Sequence, residues 1–584
     1  MRRHYLAIIF AAIVGFVSIA PQALAIFSLG DEYKGINLLY INDETYYLAR
    51  MKDILDGHGW ASSPFIYEHK NQKPLMYPSG EYLYAFPAIL FRLPLVNVLI
   101  MNKFLFPAIL FFLVYLLLSQ LTREPGTVYH KINAVAGGLF VTLGYDLIDY
   151  KNAWLFLTGQ IQSAQFLLWT RQVHPVTEAI LVFIFLLLLW LMINRRRRYL
   201  FLPAGLILGL TVGYFFSWSL SLAVAGVLAA VFLLKKEYAV LKDLLLTVGM
   251  GALTSAPYWY NIWRVFGSAG DSVKISMLNG MFFTRAPVFN KLLLAALFFF
   301  ALCFLYEYRE KRKTGEAVDR WWWFGLALLL GGLAAFNQQI VTGRVIWHYH
   351  FVQYTIPFSI VTAMIVLFNF FKPKLFKLWA GSVVVIAVFS LTYGAAVAAS
   401  YAYQLENFRT FQRYAAPLAW LNGRAAKDCV VLVREGEAER MNRLIPGFTA
   451  CNVYAAQEIS FGVASEDERV WHNFLVKLRI NGVPPEEAED YLKEHYAAVR
   501  GYFYRDWQDF YASGDEPWLV EKIGQIAAAY RGFVKKDFAS ELKKYRLDYV
   551  ISDGPLDEKT RRSIDGLRPV DNLNGFYLYQ IQTI

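Results

Sequence analysis

The chain has 584 residues, 57% of them hydrophobic, 17% aromatic and 18% charged, with 57 Lys and Arg against 46 Asp and Glu for a formal net charge of +11. Soluble domains rarely reach that apolar fraction, and here the apolar residues run unbroken rather than in amphipathic stripes, so the composition excludes an ordinary soluble enzyme and points to a polytopic membrane protein. The positive charge needs no nucleic acid partner, because basic loops facing anionic lipid account for it.

A hydrocarbon core of about 30 Å needs roughly 20 apolar residues per helix. By that measure the sequence predicts about eleven spans, near residues 5–27, 98–121, 131–150, 176–193, 199–216, 217–234, 243–260, 288–306, 321–336, 349–371 and 378–401. The first has a second reading as a cleaved signal peptide, since Arg2-Arg3, an apolar run and Ala23-Leu24-Ala25 stand in the right order. Its apolar run is long for a signal peptide and favours a retained span. Trp321-Trp-Trp323 and the Tyr and Trp at other span ends read as interfacial belt residues.

Between the first two predicted spans, the chain carries two polar stretches, Ile41-Asn-Asp-Glu-Thr-Tyr-Tyr-Leu-Ala-Arg50 and Glu68-His-Lys-Asn-Gln-Lys-Pro-Leu75. Carboxylates and lysines gathered beside a membrane are costly to hold there, so they call for a chemical reason. Residues Glu44 to Leu55 read as an amphipathic helix with Tyr47, Met51 and Leu55 at helical spacing and Asn42 or Asp43 as its N-cap. Such a helix would lie on the membrane surface with Asp43 at its inner end. A carboxylate held there, partly shielded from water, has the tunable basicity of a general base; it also serves simply as a cap, and the spacing alone leaves both roles open.

Beyond Tyr401 charges, Gly and Pro return to globular density, and Val430-Val-Leu-Val433 and Tyr549-Val-Ile-Ser552 read as strands. The expected architecture is therefore a multi-span α-helical membrane domain over residues 1–401, with a long first loop at 28–97, followed by a small α/β domain over residues 402–584. With the N-terminus inside, the inside loops collect 19 Lys and Arg, including Arg195-Arg-Arg-Arg198 and Lys311-Arg-Lys313, and the outside loops only 6, among them Lys274. That bias puts the Asp43 loop and the C-terminal domain on the exterior face of a plasma membrane. Asn-x-Ser/Thr occurs nowhere in the chain, which favours a prokaryotic membrane over a eukaryotic lumen. Of three cysteines, Cys303 falls in a span, while Cys429 and Cys451 lie in the exterior domain beside the expected strands, where a disulfide and two buried thiols are both open readings. No CxxC, HExxH, Walker loop, GxSxG or Rossmann fingerprint occurs, and no internal repeat.

Asn42-Asp43-Glu44, the helix that follows to Gly57, then Pro64, Glu68 with Lys73-Pro74-Leu75, and Tyr77-Pro78 resemble the first periplasmic loop of the GT-C class of membrane glycosyltransferases. That class includes the protein O-mannosyltransferases, the transferase that adds aminoarabinose to lipid A, and the oligosaccharyltransferases. The resemblance implies Asp43 as the base acting on the acceptor, Glu44 and Glu68 as supporting carboxylates, and Lys73 or Lys70 as a contact for the phosphate of a polyprenyl-phosphate sugar, with His69 as an auxiliary group. Two departures stand out. One proline, not two, follows the lysine, and there is neither a second acidic loop pair nor a Trp-Trp-Asp motif, which argues against an oligosaccharyltransferase and weakens any claim for a divalent cation such as Mg or Mn.

Departing phosphate also needs cations, and exterior arginines are few. Arg344 follows Gly343, and Arg binds phosphate bidentately. Its alternative role is to anchor lipid head groups. His348 and His350 are candidates to assist a phosphate or a metal, although at i, i+2 they face different ways. Arg171 and His174, before a span that opens at Pro175, form a similar pair. The reading is a membrane glycosyltransferase that moves a sugar, with inversion, from a polyprenyl-phosphate donor to a lipid, glycan or protein acceptor outside the membrane. The rival readings are a transporter or flippase, and a catalytically silent protein of the same fold.

Overall fold

The computed structural model describes residues 4–39, 43–123, 127–162, 165–268, 281–434, 436, 439–460, 462–463, 465, 467–503 and 517–581. Arg2, Arg3, the expected cap Asn42 and the outside-loop Lys274 lie outside these residues. The chain forms two units, each assembled from separated stretches: Met1–Gly30, Leu83–Trp259 and Phe283–Phe408 in the first, and Asp31–Tyr82, Tyr260–Phe282 and Arg409–Ile584 in the second.

In the first unit, long apolar runs become long helices, and among the described residues nine helices are long and apolar enough to cross a membrane. This is an integral membrane protein. The expected count of eleven is only approximate, because two of the segments make shorter helices. The stretch expected at 131–150 is a 15-residue helix, Val128–Thr142, followed by a 3-10 turn at Tyr145–Ile148, and that expected at 199–216 is a 10-residue helix, Phe201–Leu210. At about 1.5 Å per residue these α-helical parts alone rise about 22 and 15 Å, short of a hydrocarbon core of about 30 Å. The short helix pays its way by packing: Gly205 and Gly209 lie one turn apart against the helix Tyr238–Ser268, and a Cβ on Gly205 would stand 2.5 Å from Met250 Cβ. Small residues at that spacing let two backbones approach where lipid offers no hydrophobic drive to association.

The second unit is built on a five-stranded sheet in the order Asn452–Val453, Val430–Val433, Tyr549–Ser552, Phe576–Ile581, Leu567–Leu573. The first three strands are parallel, with Val431 opposite both Val453 and Tyr549. The last two form an antiparallel hairpin turned at Asn574-Gly575 and bulged between Pro569 and Asp571. Both strands read from the sequence are present with the same limits. All four residues of Val430–Val433 are buried, which is why this strand is a continuous apolar run. Cys429 and Cys451, which precede the two parallel strands, are joined in a disulfide, while Cys303 is a buried free thiol.

The stretch 31–82 belongs to this unit. Its helix Glu44–Leu55 has the expected limits but a different setting. A surface-lying helix would keep one face in water; ten of its twelve residues are buried, Glu44, Arg50 and Asp53 among them. It packs on the helix Glu439–Phe448, where a Cβ on Gly447 would come within 2.8 Å of Leu48 Cγ. Farther on, the Phe65 carbonyl accepts from the Val453 amide at 2.8 Å and the Pro64 carbonyl from Asn452 Nδ2 at 3.1 Å, so residues 64–65 run along the sheet edge.

Candidate active site in the first loop

Asp43 sits half-buried at the head of the Glu44–Leu55 helix. Its backbone carbonyl accepts from the Tyr46 and Tyr47 amides at 3.1 and 3.3 Å, but its carboxylate makes no capping hydrogen bond, so it does not serve as the helix cap. Glu44, the next residue, is fully buried.

What fixes this helix is Arg50, one turn past Tyr46. Its guanidinium is fully buried and donates from Nε to Glu81 Oε1 at 2.5 Å, from Nη1 to the Ala61 carbonyl at 2.8 Å and the Tyr46 hydroxyl at 3.3 Å, and from Nη2 to the Met76 carbonyl at 3.1 Å. Burial works against its charge, yet the Glu81 carboxylate outweighs that and holds Arg50 above the ordinary arginine range. Three separate stretches of the loop are thereby tied to one side chain. Gly462 completes the surround: at φ +78° it takes a conformation other residues rarely adopt, and a Cβ there would fall 2.6 Å from the Tyr46 hydroxyl.

The remaining loop candidates separate by what they touch. Lys70 is buried and spans two carboxylates, Asp53 at 3.1 Å and Asp428 at 2.6 Å, with His58 3.1 Å from the same Asp428 oxygen. Burial pushes the Asp53 carboxyl up against the pull of Lys70; at Asp428 burial also raises, but Lys70 and His58 prevail and bring it below the usual carboxylate range. Glu68 lies 3.6 Å from the buried Arg469. His69 is buried, 3.4 Å from Ser465 Oγ, and burial together with the nearby Arg469 lowers it to about 4, so it is neutral at pH 7. Lys73 differs from all of these: it is exposed, in a stretch without regular structure, and forms no ion pair among the described residues.

The other candidates lie in the first unit. His174 Nδ1 is 2.5 Å from Glu178 Oε2, which also accepts from the Thr177 hydroxyl. The His174 ring stacks on Tyr214 at 4.3 Å, and the Tyr214 hydroxyl is 2.5 Å from His350 Nδ1. Arg171 is buried, three residues ahead of His174. His348 meets Phe336 edge to face at 5.9 Å, and the His348 and His350 rings both contact Tyr349, at 6.0 and 4.8 Å. Arg344 is exposed, with its guanidinium 5.6 Å from the Phe283 ring centre. Arg50, Glu81, Glu178 and Tyr214 were not singled out by sequence reasoning. For Arg50 the sequence offered only its i, i+4 spacing from Tyr46, which says nothing of Glu81. Among the described residues no three His, Cys, Asp or Glu side chains gather in an arrangement that could hold a metal.

No family model and no curated protein matches the sequence. Among solved structures, the chain is similar to ArnT from Cupriavidus metallidurans bound to undecaprenyl phosphate, at 13% identity and a TM-score of 0.46, covering 99% of this chain and 97% of that one. It is also similar to the Archaeoglobus fulgidus oligosaccharyltransferase in the apo form, at 16% identity, a TM-score of 0.37 and coverage of 94% and 69%. A third is the same organism's AglB with an inhibitory peptide and a dolichol-phosphate, at 17% identity, a TM-score of 0.38 and coverage of 94% and 69%. All fall in the class of membrane glycosyltransferases that the first loop resembles.

Proposed function

We propose that this protein is a GT-C membrane glycosyltransferase that passes a sugar from a polyprenyl-phosphate donor to an acceptor on the exterior face of the membrane. The observation that carries the reading is Asp43: it lies half-buried at the head of the Glu44–Leu55 helix, in the loop motif that resembles the class. In this reading Asp43 takes the proton from an acceptor hydroxyl or amine as that atom attacks the anomeric carbon. The bond from that carbon to the phosphate oxygen breaks, and polyprenyl phosphate leaves with inversion at carbon. Lys73 is the candidate to stabilise the charge on the departing phosphate, a role in which an ion-paired cation is far less useful, and Arg344 is a separate candidate phosphate contact. Glu44 and Glu68 act as supporting carboxylates, and Arg171 is a further candidate phosphate contact with His174, His348 and His350 as auxiliary groups. The disulfide supports the exterior placement of the C-terminal part, since such bonds persist in oxidising compartments.

Asp43→Asn tests the assignment, because it is nearly isosteric. Purified protein in vesicles should release polyprenyl phosphate from a labelled donor, and the variant should lose at least about 100-fold of that rate, the usual scale for a general base. Activity within about twofold of the parent protein would remove Asp43 from the chemistry.

A further inference from the structure

The sheet of the second unit has a topological switch point that the first loop does not use. From the strand Val430–Val433 the chain crosses by the helix Glu439–Phe448 to Asn452–Val453 on one side, and the strand Tyr549–Ser552 lies on the other and leads away toward the hairpin. In open sheets with parallel strands, diverging connections of this kind leave a crevice at the strands' carboxyl ends, where ligands bind. A crevice of about 590 Å³ lies there, within the usual range for ligand sites. Its lining begins with the residues just after each strand, Arg434 and Gly436 after one and Asp553 and Gly554 after the other, and is closed by Asn481, Tyr491 and His495.

The lining defines the chemistry. Gly436 stands at φ +123°, a conformation other residues rarely adopt, and a Cβ there would fall 2.1 Å from Asp553 Oδ2, so glycine lets the carboxylate lie against the backbone. At Gly554 nothing lies within 4 Å of where a Cβ would be, so this wall is open space. The Tyr491 and His495 rings stack at 4.1 Å with 18° between their planes, held by His495 Nδ1 donating to the Tyr491 carbonyl at 2.9 Å. One guanidinium, one carboxylate and one amide are planar groups that hydrogen-bond paired hydroxyls, and a flat aromatic wall suits the apolar face of a sugar ring. Asp553 repels a phosphate or a carboxylate, and Arg434 is the one permanently charged cation among the described lining residues. We infer that this crevice binds a neutral carbohydrate unit, one or two sugars long. The inference does not depend on the transferase reading, since a catalytically silent protein of this fold would keep the same crevice.

Saturation-transfer NMR on the full chain in a detergent without a sugar head group tests it, with lactose, cellobiose and N,N′-diacetylchitobiose as probes and inorganic phosphate as competitor. At least one disaccharide should bind with a Kd of about 1 mM, the range of weak sites, and phosphate should not displace it. Gly554→Trp, which fills the open wall, should abolish the signal, and Asp553→Asn should weaken binding about tenfold. Tyr491→Ala gives a second route if the tryptophan variant does not stay monodisperse with a parental melting temperature, and it should also abolish the signal. Absence of signal from all three sugars, persistence of signal in a folded Gly554→Trp or Tyr491→Ala protein, or displacement by phosphate would each overturn the inference.

Discussion

Arg50 and Glu81 make the sharpest test of how the first loop is held. Both are buried, 0% and 1% exposed, and the guanidinium satisfies four acceptors drawn from residues 46, 61, 76 and 81. Arg50→Met strands the Glu81 carboxylate without its counter-charge and leaves two carbonyls short of a donor. Uncompensated burial of one charge dominates, at about 3–5 kcal/mol. For a domain of 150–250 residues each kcal/mol moves the melting temperature by about 2–4 °C, so the loss is about 6–20 °C. Glu81→Gln should cost a comparable amount, because it strands the cation instead. The double replacement Arg50→Met with Glu81→Leu removes both charges, and such swaps of a buried pair are often neutral or better. Its melting temperature should therefore stand above both single variants. Thermal unfolding followed by tryptophan fluorescence reads all four proteins; a double variant at the sum of the single losses would show that the pair is not coupled and refute the reasoning.

Three further outcomes follow from the same structure. A cysteine introduced beside Gly436 should react with an impermeant thiol reagent in intact cells and one beside Gly315 should not; the reverse pattern inverts the orientation drawn from the 19 and 6 basic residues. His69 and His472 are both lowered to about 4, each by burial first and then by Arg469, against an ordinary value of 6.5. Between those values the unfolded chain binds protons that the folded chain refuses, so stability is complete above pH 6.5 and falls as the pH drops toward 4, by up to about 1.4 kcal/mol per pH unit for each histidine. The melting temperature should fall between pH 7 and pH 5, and a His69→Asn, His472→Asn protein that keeps the whole drop would contradict this. Arg344→Lys should weaken donor use if Arg344 grips phosphate through its planar fork, while insertion and melting temperature hold; superimposable donor titrations would make it a head-group anchor instead.

Local pattern carried the sequence reading where neighbours in the chain decide the structure, and it stopped where distant residues do. The limits of Glu44–Leu55, Val430–Val433 and Tyr549–Ser552 came through intact because their signals are local: a break, a period, a branched apolar run. The setting of Glu44–Leu55 did not. Periodicity reports which face is apolar, but the opposite face is covered here by residues 61–81 and by the helix Glu439–Phe448, and nothing within twelve residues announces partners so far away. Arg50 accordingly reads as one more polar group until Glu81, 31 residues on, is seen beside it. The helix Ser79–Phe91 was missed for a simpler reason: Pro87 lies inside it, and proline normally marks an end.

The two lysines of the Glu68–Leu75 stretch show how burial sorts candidates that a motif leaves equal. A phosphate site needs positive charge that is not already neutralised, reachable from outside the fold. Lys70 has given its charge to Asp53 and Asp428, and withdrawing it would strand two buried or half-buried carboxylates at a cost of several kcal/mol. It therefore acts as a clasp within the second unit, with a binding role only at the expense of the fold. Lys73, three residues later and just ahead of Pro74, remains exposed with no ion pair among the described residues, and Asn261 Nδ2 holds the Pro74 carbonyl at 2.8 Å. The backbone beside Lys73 is thus fixed while its ammonium is left in solvent. A side chain on a pinned backbone with an unneutralised charge is what recognition of a lipid phosphate demands, and between the two lysines only Lys73 offers it.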